Sequence, residues 1–237
     1  MISRQETILK LVVEEYIRSA EPVASLHIVS QFDLDVSPAT VRNDMCVLEE
    51  AGYLTQPHTS AGRVPTELGY RYYLANFLHL APVASARRRL ESVMAESSST
   101  ENTLRRVART LGDLSGETAV MATEQGGSYY AGMANLFGKP DFSDAQILAE
   151  LARVFDEMEG ILHALFGTIT DEPIVLIGTK NPFGSSFSSV FIRYRASPQM
   201  SGIIGLIGPM RMDYNRNVGL VQLAHELLNQ PSPSYER

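Results

Sequence analysis

Between Ser37 and Arg71 the chain reads S-P-A-T-V-R-N-D-M-C-V-L-E-E-A-G-Y-L-T-Q-P-H-T-S-A-G-R-V-P-T-E-L-G-Y-R. Few folds accommodate that order of signals. Ser37 is a good helix N-cap, and Pro38 suits the first helical position, where a missing N–H costs nothing. At about 100° per residue, Val41, Met45 and Leu48 share one face and form its core side. Gly52 is well placed as the C-terminal stop. Tyr53–Pro57 and Arg63–Thr66 then read as two short strands around a polar tip, His58–Gly62. Thr66 can cap a further helix over 67–80. Helix, tight turn, two-stranded ribbon and helix make the layout of a winged helix-turn-helix.

The residues upstream fit that layout. A helix is expected over 3–20, with Ser3 and Glu6 as a capping box and Ile8, Leu11, Val12, Val13 and Tyr16 as its apolar stripe. Pro22 ends it. A shorter helix over 25–31 offers Leu26, Ile28 and Val29 for burial. Residues 1–80 are therefore read as one winged-helix domain.

A helix of this kind fits the major groove of duplex DNA, and the residues near its N-terminus reach base edges. That nominates Ser37, Ala39, Thr40, Arg42 and Asn43. Arginine pairs bidentately with guanine and asparagine with adenine, while Thr40 suits a phosphate or a thymine methyl. On the wing, His58, Thr59, Ser60 and Arg63 offer donors for phosphate or minor-groove contact. Gly62 lets the backbone turn or approach a phosphate. Cys46 lies near Arg42 and Asn43 on the helical wheel and reads as a small filler.

Charge limits this reading. The net charge is −7, which argues against a protein that coats nucleic acid without specificity. Residues 1–80 hold six Lys/Arg against ten Asp/Glu. A second reading thus stays open, an interaction module or ligand-sensing regulator with altered or lost DNA specificity. The single cysteine excludes a disulfide framework and a cysteine-rich zinc site. No metal site, no cofactor motif, no nucleophile with a base at usable spacing and no phosphate loop is found, so an enzyme is not expected. No apolar run reaches the ~20 residues that span a bilayer. No secretory signal is read, and a cytoplasmic protein is expected.

Residues 81–116 read as a helical connector broken near Glu96–Thr100, whose stripe Leu104, Val107, Leu111 and Leu114 could pack on a partner chain. Residues 117–230 read as an α+β domain. Strands are expected over 117–123, 173–178, 190–196 and 202–208, with helices over 142–166 and 212–229. Arg193 and Arg195 alternate on the third of those strands and read as a solvated sheet face.

Several of these motifs resemble the HrcA family, the heat-inducible transcription repressors of bacteria. The resemblance is carried by Glu21-Pro-Val-Ala-Ser25, Ser37-Pro-Ala-Thr-Val-Arg-Asn43, Pro57-His-Thr-Ser-Ala-Gly-Arg-Val-Pro-Thr66 and Gly69-Tyr-Arg71. It returns in Pro140-Asp-Phe-Ser-Asp144 and Gly208-Pro-Met-Arg-Met-Asp-Tyr214. It implies a winged-helix domain followed by a GAF-like α+β domain. It implies a homodimer on an inverted-repeat operator upstream of chaperone operons, with repression relieved by heat and the active fold supported by chaperonin. Family members carry a long segment, including an inserted dimerisation domain, where this chain has only Gln125–Lys139. A reduced GAF-like domain lacking the insert is therefore expected. The Gly208–Tyr214 motif leaves two possibilities: a ligand or partner surface, or a strand-to-helix turn with Asp213 as cap and Arg211 paired.

Overall fold

The structure, a computed structural model, describes residues 3–32, 34–58, 61–81, 83–96, 99–197 and 200–230, with the side chain of Gln146 left out. Met1–His79 and Leu80–Arg237 form two compact units.

The first unit holds α1 (Ser3–Ser19), α2 (Ser25–Phe32), α3 (Pro38–Glu50), β1 (Leu54–Thr55), β2 (Val64–Pro65) and α4 (Glu67–Phe77). Its core lies where the helical period put it on α3, whereas on α1 Leu9 is buried in place of Leu11, which is half-buried together with Tyr16. Val41, Met45 and Leu48 of α3 are at most 3% exposed and meet Ile8, Leu9, Val12 and Val13 of α1, all at 0%. Burying each such side chain contributes about 1.5–3 kcal/mol relative to leaving it in water. The Glu6 carboxylate accepts the Tyr72 hydroxyl at 2.8 Å. Leu26 is 66% exposed rather than buried. It lies two residues from buried Ile28, roughly 200° around a two-turn helix, so both cannot face inward.

α3 closes in a Schellman turn. Gly52 has φ +81° and donates to Glu49 O, and Tyr53 donates to Leu48 O. The ribbon follows at once, pairing Leu54 with Pro65 and Thr55 with Val64. Thr66 ties both ends together: its hydroxyl donates to Gly52 O at 2.6 Å, and its oxygen accepts the Gly69 N–H at 3.1 Å as the α4 cap.

The second unit holds α5 (Ala84–Ala95), α6 (Thr100–Ser115), β3 (Thr118–Thr123), β4 (Ser128–Ala131), α7 (Met133–Phe137), α8 (Ala145–Leu165), β5 (Ile174–Ile177), β6 (Phe187–Ser197), β7 (Met200–Pro209) and α9 (Tyr214–Leu228). Five strands pair antiparallel in the order β4-β3-β7-β6-β5. Alternate residues face opposite layers. Val120, Ala122, Phe187, Phe191, Ile203 and Ile207 pack on Leu151, Met158, Leu162 and Leu165 of α8. The other face is covered by α6 and α9. Of the stripe, Leu104, Val107 and Leu111 are fully buried against the chain's own sheet rather than left for a partner, and Leu114 is half-buried. Arg193 is also not solvated. It is half-buried, donates to the carbonyls of Ile169 and Phe166, and pairs with Glu124 at 2.8 Å, whereas Arg195 is exposed.

Candidate nucleic-acid interface

The N-terminus of α3 presents the expected face. Ser37 takes extended backbone angles, and its Oγ accepts the Thr40 N–H at 3.1 Å. The same oxygen lies 3.0 Å from Thr40 Oγ1. Both hydroxyls thus help hold the first turn in shape. Ser37, Ala39, Arg42 and Asn43 are exposed, and Thr40 is half-buried. The structure brings all five together on one end of one helix. Replacing Ser37 with alanine strands a helix-end donor, and a loss of about 1 kcal/mol in the first unit is expected by chemical denaturation. An unchanged unfolding midpoint would show the cap to be idle.

The charges of this unit are nearly all committed. Arg4 pairs with Asp44 at 2.6 Å, Lys10 with Glu14 at 3.9 Å and Arg18 with Glu15 at 2.6 Å. Arg63 pairs with Glu49 at 2.8 Å and Arg71 with Glu67 at 2.6 Å. His27 Nε2 of α2 lies 3.0 Å from the carboxylate of Glu15, which is buried on α1. Hydrogen bonding from Arg18 holds its carboxyl below the usual range despite burial. Among the described residues of the first unit, Arg42 is the one Lys or Arg with no carboxylate partner. An acidic unit therefore keeps one uncompensated cation on the solvent face of α3.

The wing is built differently from its sequence reading. His58 is exposed near the tip and accepts the Ala61 N–H through its carbonyl at 2.8 Å. Thr59 and Ser60 lie outside the described residues. Arg63 does not project from the tip. Its side chain is 13% exposed and turned onto α3, with Nη2 at 2.8 Å from Glu49 and 3.9 Å from Cys46 Sγ. Its backbone exchanges two 2.9 Å hydrogen bonds with Val23, a one-residue third strand that sequence reasoning missed. Gly62 serves this pairing: a Cβ there would stand 2.3 Å from Val23 O. An open cleft of about 360 Å3 runs between the start of α2, α3 and the wing, lined by Ser25, Arg42, Gln56 and Gly62 among others. No group of metal-ligating side chains occurs among the described residues.

In the second unit the two C-terminal motifs meet. Arg211 Nε lies 2.8 and 2.9 Å from the two carboxylate oxygens of Asp141, and its Nη2 lies 2.6 Å from one of them. Asp213 caps α9 by accepting the Arg216 N–H at 3.1 Å. The motif is thus the strand-to-helix turn. Beside it, Glu117 is 3% exposed and pairs with Lys139 at 2.5 Å. Burial raises the Glu117 carboxyl to about 7, against the pull of Lys139. The cleft between the β3–β4 hairpin and α8 holds about 50 Å3, room for a water or two.

Comparison with known proteins follows this division. A DeoR-like helix-turn-helix domain matches residues 4–66. A family model described as the HrcA protein C-terminal domain matches residues 69–218. A heat-inducible transcription repressor HrcA from Bifidobacterium adolescentis is 51% identical over 121 residues, covering 51% of this chain and 32% of that protein. The chain thus spans about a third of the length of that relative. A repressor of the same name from Chloroflexus aggregans is 25% identical over 346 aligned positions, 97% of this chain and 92% of that protein. That alignment is over a hundred positions longer than this 237-residue chain. A crystal structure described only as a hypothetical protein at 2.2 Å resolution superposes with TM-score 0.72 at 19% identity, covering 97% and 98% of the two chains. It shares the fold, a helix-turn-helix domain followed by a GAF-like α+β domain. With more than half its length matched by that family's own C-terminal domain, the chain belongs to the HrcA family.

Proposed function

We propose that this chain is a transcription repressor that reads operator DNA through the first turns of α3. The carrying observation is Arg42, exposed and without a carboxylate partner among the described residues of a unit that otherwise neutralises its cations. Ser37, Ala39, Thr40 and Asn43 flank it, and exposed His58 would make backbone or minor-groove contact, a role proposed on sequence alone for Thr59 and Ser60. Arginine and asparagine one residue apart on an exposed helix end suit adjacent base edges. The relatives' names support repression that heat relieves. A homodimer would set two such helices about 34 Å apart, matching an inverted repeat. The same reading places this chain in the cytoplasm, with chaperonin as a further partner supporting its active fold. No described helix is long and apolar enough to cross a membrane.

The acidic balance of the first unit favours the competing reading, a regulator without sequence-specific DNA binding. Selection from a randomised 30-bp duplex library with the full chain separates the two. Enrichment of an inverted repeat, bound at least a hundredfold more tightly than its scrambled counterpart near 150 mM salt, is expected of a specific repressor. Equal affinity for both duplexes would sink the proposal. Light scattering on the bound complex gives the number of chains per duplex.

A further inference from the structure

We propose that Arg63 is a positioning residue, clamping the recognition helix α3 to the wing rather than touching DNA. The inference rests on the DNA-binding reading and reassigns one residue within it.

Three elements converge on this side chain. Its own backbone lies in the wing and is hydrogen-bonded on both sides to Val23, ahead of α2. Its guanidinium crosses to α3 and meets Glu49 at 2.8 Å and Cys46 at 3.9 Å. Arg42, Cys46 and Glu49 follow one another at four- and three-residue steps, so they lie along one stripe of α3. Arg63 therefore fixes the very stripe that carries Arg42. A shift of about 1 Å in that stripe would break a bidentate base contact, because such pairs need near-ideal geometry.

Charge and exposure exclude the simpler role. Arg63 and Glu49 cancel each other, so the pair adds no net attraction for phosphate. To reach DNA, Arg63 would have to abandon Glu49 and leave a carboxylate, 33% exposed, beside the polyanion. Its Nε is already buried. A guanidinium fork bridging two side chains is also a task that lysine cannot repeat, whereas a phosphate contact tolerates lysine.

The test measures dissociation constants of full-length chains for the library-selected duplex across a salt series. If Arg63 is a clamp, Arg63→Lys and Glu49→Gln each weaken binding about tenfold, and for the charge-conserving Arg63→Lys the slope of log affinity against log salt stays as in the wild type. If Arg63 holds a phosphate, Arg63→Lys binds like the wild type, Glu49→Gln binds more tightly, and Arg63→Gln lowers the slope by about 0.9. Either of the first two results overturns the clamp. Should an Arg63 variant fail to fold, Glu49→Gln still decides, since weakening and tightening are opposite signs. A wild-type chain that enriches no duplex removes the DNA reading and the clamp together. A wild type that binds while Glu49→Gln tightens binding removes the clamp alone.

Discussion

Replacing Arg42 with alanine is expected to weaken binding to the selected duplex roughly tenfold to a hundredfold, the range of one good bidentate base contact. The scrambled duplex should lose much less. Arg42 is exposed and has no carboxylate partner among the described residues, so the substitution removes no ion pair seen there and opens no core cavity. Alanine is also the better helix former, so α3 itself should be no weaker. Loss of affinity without loss of thermal stability is therefore the signature. If the variant kept wild-type affinity for the selected sequence, base reading by this helix end would be ruled out. A dimer contributes Arg42 twice, and the effect then approaches the upper figure.

The second large effect is on stability and comes from Glu117. Folded, this carboxyl holds its proton up to about pH 7, because burial outweighs the pull of Lys139. Unfolded, it releases the proton near the ordinary value of 4.5. Between those values the folded chain binds more protons than the unfolded one, so stability falls as pH rises and levels off above about 7. The whole window amounts to about 3 kcal/mol, or roughly 6–12 °C in melting temperature for a unit of this size. Glu117→Gln keeps the shape and carries no proton equilibrium. The melting-temperature difference between wild type and variant should therefore change across pH 5–8, with the variant gaining on the wild type. Groups common to both chains cancel in that difference. A difference that stays flat with pH would mean that Glu117 ionises as if in water.

Much of the first unit could be read from local signals. Ser37 with Pro38, Gly52 and Thr66 each satisfy or end a helix through atoms within a few residues, and those bonds are present. What escaped depends on distant partners. Val23 forms a strand only because Arg63 lies beside it. β4 is four residues at a sheet edge, with Tyr130 exposed, too short for alternation to register. α7 is five residues, little more than one turn. Arg193 and Arg195 carry the same sequence signal, yet the chain after α8 runs past the first and not the second. The pairing of Arg211 could be anticipated, but not Asp141, seventy residues earlier. Among the candidate readers, those on α3 stand where helical spacing puts them. Arg63 turned inward because Glu49 faces it, a fact of tertiary geometry alone.

The strand order of the larger sheet has a consequence for synthesis. β7 lies between β3 and β6, and all six residues of β3 are buried. One edge of β3 is closed by β4 almost as soon as it is made. The other edge waits for β7, about 80 residues later. At about 5–20 residues per second, that wait lasts roughly 4–16 s. The first unit is fully synthesised before it begins. For those seconds the first unit, already complete, is tethered to a β3 with one edge unpaired. Slower translation lengthens that exposure in proportion.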